Sequence, residues 1–184
     1  RHTHDQYYKH LPEYFGSTIV GMFTDEPSPL GKGARRGPNP KAYTDGLLDD
    51  VADEWGEDPE HCLPALWFDC GPETSAFRDA YQRAVKRRVE RVFYAAQSEW
   101  CEQHGIALTG HPAQSDEMGA LSYFQWPGQD MVWRYVEPNA LSALEGQHSV
   151  AAKGASSAAS IAERRRNAAE CFGAAYDFHD LGRD

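Results

Sequence analysis

Four times along this chain a short apolar stretch runs into a polar side chain and a turn. The first is Ile19 to Phe23, which meets Asp25, Glu26 and Pro27. The second is Ile106 to Thr109, closed by Gly110-His111-Pro112. The third is Asp130 to Trp133, ending at Trp133-Arg134, and the fourth is Asn167 to Ala169, delivering Glu170. Helical patterns separate them. Strands alternating with helices pair in parallel through crossovers, because a tight turn cannot bring the next strand round in the same direction. The predicted class is therefore α/β. Four units in a row suit about half of an eight-stranded barrel, or a doubly wound sheet. No G-x-G-x-x-G or P-loop fingerprint is present, which lowers a nucleotide-binding reading. Pro27 has no backbone donor, so strand pairing cannot continue past it. Asp25 and Glu26 are thus delivered at a carboxyl strand end, where α/β proteins collect their chemistry.

The helices follow from apolar spacing. Residues His4 to Phe15 carry Tyr7, Tyr8, Leu11, Tyr14 and Phe15 at spacings of three and four, with Pro12 as a break. Tyr43 to Trp55 reads as a short acidic helix, and Asp58-Pro59 opens another. The strongest pattern runs from Phe77 to Trp100 with a 3.6-residue period, with cap candidates at Glu73-Thr74-Ser75 and a stop at His104-Gly105. Asp116 to Phe124 and the Ala- and Ser-rich Ser149 to Arg164 complete the set. Between Pro27 and Pro40 the composition shifts to Pro, Gly, Ser, Lys and Arg, so residues 27–42 read as a loop insertion.

The 184 residues suit one catalytic domain or part of a larger one. The chain opens on Arg1-His2-Thr3-His4 without Met or a signal segment, which reads as a fragment of a longer protein. No apolar run approaches the ~20 residues of a membrane span. A net charge of -10 argues against a general nucleic-acid binder. The cluster Lys86-Arg87-Arg88, with Arg83 and Arg91, reads as a solvated helix face. The four cysteines match no zinc spacing and read as reduced thiols of a cytoplasmic protein, with a disulfide still possible.

The strand ends present Asp25, Glu26, His111, Trp133, Arg134 and Glu170. Two carboxyl groups facing each other across a barrel mouth are what glycosidic cleavage needs. One protonates the leaving oxygen, and the other attacks as nucleophile or activates water. Glu26 and Glu170 are the predicted catalytic pair, with Asp25, His111, Trp133 and Arg134 as substrate-binding groups for a carbohydrate. Trp126 and Tyr123 offer further stacking faces, although Trp126 also suits loop packing. Each acid has a plainer reading: Glu26 pairing an arginine, or Glu170 pairing Arg164, Arg165 or Arg166. His111 can equally bridge backbone groups. Two other functions use the same fold. One is a metal-dependent hydrolase drawing on His2, His4, His111, Asp25 and Asp116. The other is a sugar-binding domain without chemistry.

Thr24-Asp25-Glu26-Pro27 after an apolar strand resembles the fourth-strand acid/base motif of barrel glycoside hydrolases, where Asn-Glu-Pro is usual. Glu170, three strands on, resembles their seventh-strand nucleophile. Thr109-Gly110-His111, Pro127-Gly128-Gln129-Asp130, Ala152-Lys153-Gly154-Ala155-Ser156-Ser157-Ala158 and Ala169-Glu170-Cys171-Phe172-Gly173 extend the likeness to bacterial α-L-rhamnosidase-like and β-galactosidase-like proteins. The resemblance implies a (β/α)8 TIM-type barrel, present here as strands four to seven, with no cofactor or metal. Asp25 departs from the motif: an ionised Asp accepts from a sugar hydroxyl but cannot donate to it.

Overall fold

The computed structural model describes residues 2–30, 39–114, 116–130 and 153–170. They fall into two compact units. One combines Arg1–Pro27 with Gln97–Asp184, and the other is Ser28–Ala96.

The first unit is built on a parallel sheet of β1 (Gly21–Asp25), β2 (Ala107–His111), β3 (Trp126–Asp130) and β4 (Ala168–Glu170), in that spatial order. The α/β expectation holds. Strand β1 pairs with β2 from Gly21↔Ala107 to Asp25↔His111. Strand β3 meets β2 at Thr109↔Trp126 and Gly110↔Pro127, and meets β4 from Gly128↔Ala168 to Asp130↔Glu170. Alternation along each strand then sorts the side chains. Leu108, Pro127 and Gln129 share one face, where Leu108 and Pro127 are fully buried. There Gln129 accepts the Ala155 N–H through Oε1 at 3.0 Å, tying the sheet to α6 (Gly154–Ile161). Ala155, Ala158 and Ala159 of that Ala- and Ser-rich helix are buried. The opposite face carries Phe23, Asp25, His111, Asp130 and Glu170.

The third strand differs from its predicted position. It spans Trp126–Asp130, so Asp130 closes it rather than opening it. Proline and glycine are poor strand formers, so in Trp126-Pro127-Gly128-Gln129 the strand preference of Trp126 is outweighed by its neighbours. Tertiary contact overrides that. Residues 131–133 lie outside the described residues. The other strands run slightly past their predicted ends, to Asp25, His111 and Glu170.

Two glycines allow the sheet to close up. Gly110 has φ +114, and a Cβ there would lie 2.0 Å from the Thr24 carbonyl oxygen. A Cβ on Gly128 would lie 2.5 Å from the Gly110 oxygen. Helix α1 (His2–His10) is fastened to α4 (Ala96–Gln103) by Trp100, whose indole N–H donates to Asp5 at 2.9 Å and stacks on His104 at 3.8 Å. Beside it, Cys101 is fully buried, and burial pushes its thiol up to about 11. Among the described residues Cys62, Cys70 and Cys101 are free, and no helix is long and apolar enough to cross a membrane.

The second unit contains α2 (Leu47–Trp55), a 3-10 segment (Glu60–Leu66) and α3 (Thr74–Val89), which continues as π-helical turns over Glu90–Ala95. The long predicted helix is therefore present with the expected ends, but not as one regular α-helix. Leu47, Val51, Leu66, Phe77 and Tyr81 form the core of this unit. The basic face of α3 is not merely solvated. Arg88 and Arg91 reach Asp50 at 2.6 and 2.8 Å, and Arg83 and Arg87 hold Glu54. Burial works to raise the Asp50 carboxyl, and its bonds to Arg88 and Arg91 outweigh that, holding it below the usual value.

Three substitutions should report on this packing. Gly110→Ala should cost at least ~3 kcal/mol, because the new carbon overlaps backbone. Gly56→Ala, with nothing within 4 Å of its Cβ position, should cost only about 1 kcal/mol of left-handed strain. Asp50→Asn should weaken the second unit by roughly 1–3 kcal/mol at neutral pH. The Asp50 contribution is complete above the unfolded carboxyl value and lost as pH falls through the lower folded one. Unfolding curves against pH should therefore lose part of their acid limb in the variant.

Candidate active site

Register brings the polar strand ends together. Asp25 and His111 are partners at the ends of β1 and β2, and Asp130 and Glu170 are partners at the ends of β3 and β4. One step beyond the Gly110↔Pro127 pair, Gly128 lies level with His111. Gly128 has no side chain, so the imidazole passes over β3. Its Nε2 lies 3.2 Å from Oε2 of Glu170 and 3.8 Å from Oδ1 of Asp25. Its Nδ1 faces the Pro112 carbonyl at 3.3 Å, and the Phe23 ring meets it edge-on at 5.8 Å. Both ring nitrogens face acceptors, so both contacts are satisfied only when both carry hydrogen.

Burial divides the cluster. The His111 side chain is 3% exposed, whereas Asp25 and Glu170 are 60% and 48% exposed. A fixed ring therefore sits between two acids that reach solvent. Glu26 follows directly, with φ +38. It lines a cleft of about 30 Å³ with His111, Pro112, Ala113, Gly128, Gln129 and Asp130. That volume holds a water or two.

The structure thus brings together Asp25, His111 and Glu170, and sets Glu26 in the cleft beside His111. Trp133 and Arg134 lie outside the described residues. Glu170 pairs with His111, and among the described residues neither it nor Glu26 pairs with an arginine. Arg166, a predicted alternative partner for Glu170, lies over the Trp126 ring at 5.2 Å. Trp126 is not a loop residue: it opens β3 at the amino end, opposite the acids. Of the predicted metal-ligand pool, His4 packs edge-on against Trp100 at 5.1 Å. Burial lowers the His4 pKa. Asp25, His111 and Glu170 do form a group whose candidate ligand atoms lie within 4.8 Å of one another. Sequence reasoning missed Asp130 and Gly128. Asp130 obeys the same strand-then-acid rule, and reading Trp126 to Gln129 as a strand would have found it.

A non-glycine residue at positive φ costs about 1–2 kcal/mol. Glu26→Gly should remove that strain and leave stability unchanged or raised by up to ~1 kcal/mol in denaturant titration, because added chain entropy offsets part of the gain. A clear loss of stability would mean that the Glu26 side chain holds the turn together. No family model, curated protein or solved structure matches this chain.

Proposed function

We propose that the protein is a glycosidase whose working carboxyl groups are Glu26 and Glu170. The observation that carries this reading is that Glu170 meets His111 on the sheet face and at the strand ends where Asp25 and Glu26 terminate β1. On this reading Glu26 protonates the departing glycosidic oxygen, and Glu170 attacks the anomeric carbon or activates a water. Asp25 accepts a hydrogen bond from a sugar hydroxyl. Trp133 and Arg134 supply a stacking face and a donor. The fold proposed with it is a (β/α)8 barrel of which β1 to β4 are strands four to seven. The strand order supports this: it follows the sequence without reversal. A doubly wound sheet reverses direction at its binding crevice.

A second reading is a metal-dependent hydrolase. What favours it is the clustering of Asp25, His111 and Glu170 within 4.8 Å. The Pro112 carbonyl beside Nδ1 would leave Nε2 as the ligating nitrogen, an arrangement common for metal-bound histidine. Metal analysis of the purified protein, and assay after chelation, separate the two.

The deciding experiment is a panel of natural and aryl glycosides with Glu26→Gln and Glu170→Gln. On natural glycosides Glu26→Gln should lose about 10²–10⁴-fold in kcat, with a smaller loss on aryl glycosides, whose leaving groups need little acid help. Glu170→Gln should lose a comparable factor on both. Full activity of either variant on a natural glycoside removes that residue from the pair. Sugar binding without turnover by the unaltered protein would make this a binding domain.

A further inference from the structure

We propose that His111 is the positioning residue for Glu170, holding it across the gap left by Gly128; this rests on the glycosidase reading. Neighbouring strands stand about 4.8 Å apart, so β2 and β4 are separated by roughly twice that. A side chain on β2 meets one on β4 only if nothing rises from β3 between them. Gly128, level with His111, meets that condition, and the next residue of β3 on this face, Asp130, stands beside Glu170, so the His111–Glu170 contact of 3.2 Å runs diagonally across β3 between the two positions. The glycine is also held there by backbone: a Cβ would lie 2.5 Å from the Gly110 oxygen.

The ring itself is poorly free to move. It is 3% exposed, with Pro112 on its Nδ1 side, the Phe23 edge against it and Asp25 at 3.8 Å from Nε2. Glu170, by contrast, is 48% exposed on a three-residue strand, with little of its own to fix its rotamer. A donor that engages Oε2 leaves Oε1 as the oxygen aimed at substrate. Orientation of this kind acts on the reaction step more than on binding, since a misplacement of about 1 Å can cost ~10²-fold. Among the described residues the charged groups facing the ring are Asp25 from β1 and Glu170 from β4, and Glu26 and Asp130 line the adjoining cleft.

The test has two arms on the whole chain. In the first, ¹⁵N spectra of the imidazoles are recorded for the unaltered protein and for Glu170→Gln, with His111 assigned by its absence in His111→Gln. The Nε2 resonance of His111 should move in Glu170→Gln. An unmoved resonance overturns the contact, and with it the proposal, whatever the catalytic activity. In the second arm, kcat and KM are measured on a glycoside that the protein turns over. His111→Phe should lower kcat about 10- to 100-fold with KM within about threefold, and His111→Gln, which keeps an N–H donor, should recover part of the loss. Equal losses in Phe and Gln variants, or a change confined to KM, would overturn the positioning role while leaving the glycosidase reading intact. Absence of turnover by the unaltered protein on every glycoside would instead overturn that reading, and the catalytic role of His111 with it.

Discussion

Everything at the strand ends depends on how closely three backbones approach one another. At Gly110 the chain of β2 lies against Thr24 of β1, and at Gly128 the chain of β3 lies against Gly110. Neither position has room for a methyl group. Side chains usually set the distance between elements in a packed core. Here main chain sets it, and the two glycines permit it for different reasons. Gly110 supplies a left-handed φ of +114 as well as space, whereas Gly128 supplies space alone. Loss of either would push β2 away from one neighbour and separate His111 from one of its acids.

The long interval between β1 and β2 has a different physical basis. A crossover between parallel strands needs only about a dozen residues. Here the segment Ser28–Ala96 intervenes and folds as a compact unit with its own apolar core. It also has its own electrostatic clamp, in which four arginines of one helical stretch converge on two acids of another. Exposed pairs of this kind contribute little one at a time. Asp50 is different, because its partner Arg88 is itself only 18% exposed, whereas Arg83 and Arg87 at Glu54 are 56% and 64% exposed. The acidic character of α2 and the basic character of α3 are therefore two halves of one interaction.

Much of this was legible in the sequence. Apolar runs ending at a polar residue and a turn located β1, β2 and β4, and a 3.6-residue period located α3 and α4. Both signals are local, so they survive without knowledge of the fold. What failed was non-local. Trp126-Pro127-Gly128-Gln129 becomes a strand because of its neighbours on both sides, and no residue in it announces that role. The same blindness hid Gly128 and Asp130 from the site. The arginines of α3 look solvated in the sequence because their acids lie far back along the chain, Glu54 being 29 residues before Arg83 and Asp50 38 residues before Arg88. Glu170 and His111 were identified individually, but their contact across an intervening strand depends on register, which periodicity alone does not give.

The consecutive acids at the end of β1 show why backbone conformation matters as much as residue type. In a regular strand, neighbours point to opposite faces. Asp25 shares the His111 face, so an extended Glu26 would turn toward the helix-covered side, where a carboxylate has no water. Instead Glu26 adopts φ +38, the strand ends, and its side chain lines the cleft that His111, Gly128 and Asp130 also line. Pro27 prevents pairing from resuming. Strained, non-glycine backbone persists when its surroundings over-determine it, and it concentrates at functional sites. A glycine would adopt the turn more easily but would bring no carboxyl group to the cleft.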